Sequence, residues 1–128
     1  MDIGFKTGTR TDLSAQVPSR EDLAWVGGFY DGEGSCGTVN NGKKARFVTI
    51  RITQKNPELL VKIQELFGFG SVVGPYGETG KQSYRFGLSN FEHCQAFMAA
   101  IWGFIGTDKR KQFQRCFGLH RTHSGLVY

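Results

Sequence analysis

The sequence has only three cysteines, Cys36, Cys94 and Cys116, and no two of them stand in a C-x-x-C spacing. This argues against a disulfide framework and a zinc site, so we expect small core residues in a reducing intracellular compartment: cytoplasm, nucleoid or organelle matrix. Long apolar runs are also missing. The most apolar stretch, Phe97 to Gly106, is about half the ~20 residues of a membrane span. We therefore expect no membrane partner, and no signal peptide is visible in the first twenty residues.

Glycine, phenylalanine and positive charge are abundant. The chain has 128 residues, which suits one domain, with 18 Gly, 11 Phe and a net charge of +5. A basic surplus favours a polyanion, either nucleic acid or an anionic membrane surface. We expect an arm over residues 1–20, a folded domain over 21–117 and a polar tail over 118–128. The arm is either flexible or an ordered source of DNA or partner contacts, and His120 and His123 are expected to be solvated rather than metal ligands.

Apolar periodicity and capping residues predict four helices. The predicted helix starts are Arg20 behind the cap Ser19, Pro57, the residue after the cap Asn90, and the residue after Thr107-Asp108. The predicted ends of the first three are Gly34, Gly68 and about Phe104.

Alternating residues and Gly- or Asn-containing turns predict two hairpins. Their strands are expected over 35–39, 45–53, 71–75 and 82–88. The resulting order, α-β-β-α-β-β-α-α, predicts an α+β fold with one antiparallel sheet and helices on one face.

The other sheet face is predicted to be polar and to carry Thr49, Arg51, Thr53, Ser83 and Arg85. Such a face is either simply solvated or built to meet a polar ligand, and β-strands fit the DNA major groove. Arg51 and Arg85 are the best candidates for reading bases, although arginine can also bind phosphate or pair with Glu. At the hairpin tips, Lys43 and Lys44, and then Lys81 and Gln82, are expected to touch phosphates.

The first helix carries a strip with almost no side chains, formed by Ala24, Gly28 and Gly32 at positions i, i+4 and i+8. Interior glycine costs about 1 kcal/mol relative to alanine, so the strip needs a reason, and close approach of a second helix backbone supplies one. If two such helices pair in parallel, their Glu33 side chains converge and must protonate or bind a cation. Oxygen ligands point to Mg²⁺ or Ca²⁺, which would suit phosphodiester cleavage; the alternative is an ordinary exit turn.

The segment from Val26 to Gly34 resembles the LAGLIDADG motif of homing endonucleases, and Leu23 to Ser35 resembles its wider form. Thr53-Gln54-Lys55 and Lys109-Arg110-Lys111-Gln112 are also similar to that family's pattern. The resemblance implies the αββαββα fold with a saddle-shaped sheet. It also implies a homodimer in intron homing that cuts a long pseudo-palindromic double-stranded DNA site and uses no small-molecule substrate.

By the same resemblance, Glu33 and the Gly32 carbonyl are expected to bind Mg²⁺, with Ca²⁺ or Mn²⁺ able to substitute in binding. Gln54 and Lys109 complete the expected catalytic set, and Asp31 is expected at the dimer interface as a structural acid that caps a neighbouring helix. One position departs, because several relatives have a basic residue where this chain has Glu58.

Three functional hypotheses follow. The first is a Mg²⁺-dependent, sequence-specific DNA endonuclease. The second is a non-cleaving DNA- or RNA-binding relative such as an intron maturase. Glu58, and Glu33 at a position where Asp is commoner in the family, keep this alternative open. The third is a small domain whose glycine-rich helix serves only oligomerisation.

Overall fold

The structure, a computed structural model, describes residues 17–40 and 46–124. The helices are α1 (Arg20–Glu33), α2 (Pro57–Phe67), α3 (Phe91–Ile101) and α4 (Thr107–Ser124). The strands are β1 (Gly34–Asn40), β2 (Arg46–Gln54), β3 (Ser71–Tyr76) and β4 (Ser83–Leu88). The α+β fold and its element order are therefore confirmed.

The four strands form one antiparallel sheet in the order β1-β2-β4-β3. Each hairpin pairs its own two strands, and β2 joins β4 through pairs that run from Ile50↔Leu88 to Gln54↔Tyr84. Val48 and Ile52 are fully buried on the face that the helices cover, whereas Arg51 and Thr53 are exposed on the other face. The predicted alternation of β2 is confirmed.

The predicted caps begin and end the helices. Ser19 accepts a hydrogen bond from the backbone N–H of Asp22, whose side chain accepts one from the Ser19 N–H, which makes a reciprocal capping box. Asn56 caps α2 with Pro57 in its first turn, and Gly68 ends α2 with φ +77°. That left-handed conformation suits glycine and disfavours other residues.

Aromatic rings fill the core between the helices and the sheet. Tyr30 stacks on Phe113 with ring centroids 5.2 Å apart and meets Phe97 edge-on at 5.8 Å. Cys36, Cys94 and Cys116 are buried and free, as expected of small core residues. Within the described part of the chain, no helix is long and apolar enough to cross a membrane.

Two elements differ from the sequence-based expectation. The third helix ends at Ile101 and gives way to a 3₁₀ turn over Trp102–Phe104, which contains the exposed Gly103. Glycine at this position lowers helix propensity and favours the tighter turn. The last helix continues through Ser124, past the residue 117 at which we expected the domain to end.

Candidate functional site

The small-residue strip of α1 lies open on the surface. Ala24, Gly28 and Gly32 are all exposed, and a Cβ placed on either glycine would meet no atom within 4 Å, α1's own nearby backbone aside. Packing against the other described residues therefore does not require glycine at these two positions. Their conformational cost remains, about 1 kcal/mol each relative to alanine, and is unexplained by the single subunit.

The adjacent Gly27 has a different role that the sequence analysis missed. A Cβ on Gly27 would overlap the Cβ of Phe104 in the 3₁₀ turn after α3. Gly27 is buried, so it allows the close packing of α1 against that turn. The Gly27-Gly28 doublet was the available signal: consecutive positions on a helix point about 100° apart, so both could not serve one contact.

Beside the strip lies an open hollow of about 550 Å³. Its apolar walls are Trp25, Phe29 and Leu59, and Trp25 meets Phe29 edge-on at 5.5 Å. Glu33 and Gln54 also line this hollow. The strip, two partly exposed aromatic rings and two of the expected catalytic side chains thus share one surface.

The third expected catalytic residue, Lys109, contacts the backbone directly after α1 and is not among the residues that line the hollow. Lys109, in the first turn of α4, donates a hydrogen bond of 2.5 Å from Nζ to the carbonyl oxygen of Gly34, the residue after Glu33. Gly34 pairs with Ile52 in the sheet, two residues before Gln54. The α1–β1 junction beside Glu33 is therefore held by contacts from both β2 and α4.

Asp31, two residues before Glu33, contacts the N-terminus of α4, the helix that carries Lys109. Its Oδ1 accepts a 2.7 Å hydrogen bond from the backbone N–H of Gly106, immediately before α4. A carboxylate at a helix N-terminus satisfies a free N–H and interacts favourably with the helix dipole. This is the helix-capping arrangement that the resemblance implied, and it is made within one chain; the placement of Asp31 at a dimer interface stays a prediction.

Oxygen donors are available for a hard cation at the hollow. Glu33 supplies a carboxylate and Gln54 an amide oxygen, the donor types that Mg²⁺ and Ca²⁺ prefer. The Gln54 oxygen also accepts a 2.8 Å hydrogen bond from the backbone N–H of Lys55, which leaves one of its two lone pairs for a cation. Among the side chains that the structure describes, no three His, Cys, Asp or Glu residues cluster. Glu33 and Gln54 therefore fit a divalent cation as part of a larger ligand set, and the Gly32 carbonyl stays a predicted member of it.

The outer sheet face forms a second open groove, of about 370 Å³. Thr49, Arg51 and Arg85 line it, although Thr49 is only 9% exposed. Ser83 is half-buried on the same face, and Thr53 is exposed. No ion pair engages either arginine in the described part of the chain, so pairing with Glu does not account for them there.

Of the hairpin-tip residues expected to contact phosphates, the structure describes those of the second hairpin but not those of the first. Lys81 and Gln82 are exposed beyond the second hairpin's strands. Lys43 and Lys44 lie outside the described residues, as do residues 1–16, and the side chains of His120 and His123 are likewise not described.

Sequence reasoning missed two outer-face residues, Val73 and Tyr76, which are 37% and 46% exposed. The Arg85 guanidinium carbon lies 5.0 Å from the centroid of the Tyr76 ring. Tyr76 ends β3 after a register shift, so simple alternation could not have placed its ring.

Glu58 occupies the first turn of α2, where its N–H donates to the Asn56 side chain. Acidic side chains are favoured at helix N-termini, which gives Glu58 a structural explanation independent of catalysis.

Comparison with known proteins finds a curated relative and solved structures with a similar fold. No protein-family model matches the chain. An intron-encoded DNA endonuclease of Dictyostelium discoideum is 30% identical over 82 residues, covering 59% of this chain and 30% of that protein. The chain thus spans less than a third of that relative's length.

Solved structures share the fold. The LAGLIDADG homing endonuclease I-GzeII, in complex with its DNA target, superimposes with a TM-score of 0.64 at 24% identity over 79% of this chain and 36% of that one. The group I intron-encoded homing endonuclease I-CeuI, complexed with DNA, gives 0.67 at 16% identity over 84% of this chain and 57% of that one. The archaeal intron-encoded homing endonuclease I-Vdi141I, also complexed with DNA, gives 0.60 at 24% identity over 71% and 62%.

Proposed function

We propose that the chain cuts double-stranded DNA as a metal-dependent homodimer, because it has the fold of the LAGLIDADG homing endonucleases and its first helix resembles their motif. The observation that carries the proposal is the open strip of α1 ending beside Glu33. A second copy docked strip to strip would explain glycines that packing among the described residues does not require.

Dimerisation would complete the metal site. One chain contributes a single Glu33 carboxylate and a Gln54 amide at the hollow beside the strip. With the two strips in contact, two Glu33 side chains would lie near each other, and their like charges would favour cation binding. When bound, a divalent cation supplies a water of lowered pKa and stabilises the charge on a leaving oxygen. Lys109 would hold the Gly34 carbonyl, and with it the backbone beside Glu33, in place.

DNA would lie on the outer sheet face. Arg51 and Arg85 line its groove without an ion-pair partner among the residues the structure describes, and the net charge of +5 favours a polyanion. Several structural neighbours were solved in complex with DNA, which agrees with this use of the fold. We extend the proposal to an intron-homing context and to a reducing intracellular compartment.

A second candidate is a DNA- or RNA-binding relative that does not cut. The presence of an acid, Glu58, where several relatives have a base favours it. Its position in the first turn of α2 weakens this argument, because helix stability alone accounts for an acid there.

The test begins with selection of a bound sequence from a randomised DNA duplex pool in Ca²⁺, followed by incubation of that duplex with Mg²⁺. We expect the wild type to cut both strands, Glu33→Gln to bind but not cut, and EDTA to stop cutting. Glu92→Gln is the matched control, because Glu92 lies away from the candidate site. It is in the first turn of α3, just after Leu88 of β4. Leu88 pairs with Ile50, which is about 13 Å from Gln54 along β2.

Each outcome supports or rejects a different part of the proposal. Specific binding by the wild type without cutting in Mg²⁺ supports the non-cleaving alternative. Cutting that survives Glu33→Gln rejects the metal role of Glu33. A wild type that enriches no sequence rejects DNA recognition.

A further inference from the structure

Three neighbouring positions form a row across the outer sheet face. Arg85 on β4 pairs with Thr53 on β2 and with Val73 on β3, so it lies between a polar and an apolar neighbour. Val73 and Tyr76 are two of the three large hydrophobic side chains that are exposed in the described residues, and both belong to the strand beside Arg85. Together with Arg85 they place two apolar groups next to a cation on the face that we propose meets DNA.

Tyr76 lies under Arg85. The 5.0 Å distance from the guanidinium carbon to the ring centroid is within the range of a cation–π contact. Such a contact limits the rotamers of a long side chain before any ligand arrives, which reduces the entropy lost on binding. Arg51 has no comparable aromatic neighbour among the described residues, so the two arginines of this face differ in how firmly they are held.

We propose that Arg85, Val73 and Tyr76 act as one unit that selects a guanine with a thymine on its β3 side. This rests on the proposed function, in which the outer face meets DNA. Arg85 donates two hydrogen bonds to N7 and O6 of the guanine, and Val73 contacts the 5-methyl group of the thymine. Tyr76 is a positioning residue that orients Arg85 and touches no base.

The spacing suits neighbouring bases. Paired positions on adjacent strands lie about 4.8 Å apart, and successive bases on one DNA strand rise about 3.4 Å. Side chains that lean slightly together therefore reach adjacent base pairs. The asymmetry of the row gives the preference its direction, because Thr53, on the other side of Arg85, offers a hydroxyl beside its methyl group where Val73 offers only methyl groups.

The test measures base discrimination rather than overall affinity. Sites are selected in Ca²⁺ from a randomised duplex pool with the wild type, Tyr76→Ala, Tyr76→Phe and Val73→Ala. We expect a guanine–thymine step in the wild-type site and a loss of guanine discrimination of about tenfold in Tyr76→Ala, within the range of about 5- to 150-fold by which a bidentate Arg–guanine contact discriminates. Tyr76→Phe keeps the ring and should keep the discrimination, and affinity for unrelated DNA should be unchanged in all variants.

A second measurement isolates the methyl contact. Replacing the thymine by deoxyuridine should weaken wild-type binding about fourfold, the value that burial of one methyl group gives. Val73→Ala should bind the thymine and deoxyuridine duplexes equally. Replacing the guanine by 7-deazaguanine, which lacks N7, should weaken wild-type binding and leave Arg85→Ala unaffected.

The outcomes separate this inference from the proposed function. Sequence enrichment by the wild type together with unchanged discrimination in Tyr76→Ala, or an undiminished deoxyuridine effect in Val73→Ala, overturns the inference and leaves DNA binding standing. A wild type that enriches no sequence overturns both. Because Val73 and Tyr76 are exposed, melting temperatures close to wild type are expected and serve as the folding check.

Discussion

The carboxylate of Asp31 accepts a hydrogen bond from the backbone N–H of Gly106 at 2.7 Å, across 75 residues of sequence. This contact joins the last turn of α1 to the start of α4, the helix that carries Lys109. The geometry of the candidate site therefore depends on an acid that is not itself expected to bind metal.

Asp31→Ala should lower the free energy of unfolding by about 1 kcal/mol, because it removes both the acceptor and the charge at the helix N-terminus. Asp31→Asn keeps an acceptor and should lose less. Urea denaturation measures both. Equal stability of the wild type and Asp31→Ala would show that the hydrogen bond contributes nothing in solution.

Gly27 and Gly28 should respond in opposite ways to added side chains. Gly27→Ala should lower the free energy of unfolding by about 1–3 kcal/mol, because its Cβ overlaps Phe104. Gly28→Ala meets open space and should raise it by up to about 1 kcal/mol through helix propensity, measured where the chain is monomeric.

A larger side chain at Gly28 tests dimerisation through the strip. Gly28→Leu should leave the subunit folded but shift the mass in light scattering from dimer to monomer, because the leucine separates the two backbones. A wild type that is monomeric at all concentrations, or a Gly28→Leu variant that dimerises normally, would contradict docking through the strip.

Tyr30→Phe should stabilise the protein by about 1 kcal/mol at neutral pH. The Tyr30 hydroxyl is buried and, among the described residues, has no hydrogen-bond partner, so its removal relieves a desolvation cost. Thermal denaturation measures the change. A lower melting temperature for Tyr30→Phe would indicate that the hydroxyl has a stabilising partner.

The same residue predicts a pH dependence. Burial raises the pKa of Tyr30 far above its usual value near 10, with a smaller contribution from the nearby Cys36. The folded chain therefore keeps the proton that the unfolded chain loses, so this contribution to stability is complete below pH 10 and falls as the pH rises beyond it. Tyr30→Phe should reduce that fall, measured as unfolding free energy between pH 9 and pH 11.

Lys109→Met should slow DNA cutting about 100-fold, the usual cost of removing one preorganised charged group, with little change in binding measured in Ca²⁺. It removes the contact with the Gly34 carbonyl beside Glu33. Lys111→Met is the matched control, since Lys111 is exposed two residues further along the same helix. Equal slowing by both substitutions would point to general loss of positive charge.

Local sequence signals predicted most of the fold. The caps Ser19 and Asn56 and the C-terminal Gly68 act on their own helices, so they are readable without knowledge of the rest of the chain. The two faces of β2 follow from alternation alone. These features depend on neighbours a few residues away.

The parts that escaped prediction depend on how distant elements dock. The contacts Lys109–Gly34 and Gln112–Cys36 join residues 75 and 76 positions apart, and the overlap of Gly27 with Phe104 exists only once the 3₁₀ turn lies against α1. The Tyr76 ring reaches Arg85 only through the register shift in β3. Nothing in one sequence specifies such distances.

The bond between Gln112 and Cys36 affects how the protein meets other proteins. β1 is an edge strand, and its Cys36 N–H is occupied at 2.9 Å by the Gln112 side-chain oxygen. An extended peptide from elsewhere cannot continue the ladder at that point without breaking this bond. Helix α4 therefore blocks edge-to-edge strand pairing at Cys36 of β1, which disfavours aggregation through that edge and leaves the outer sheet face accessible.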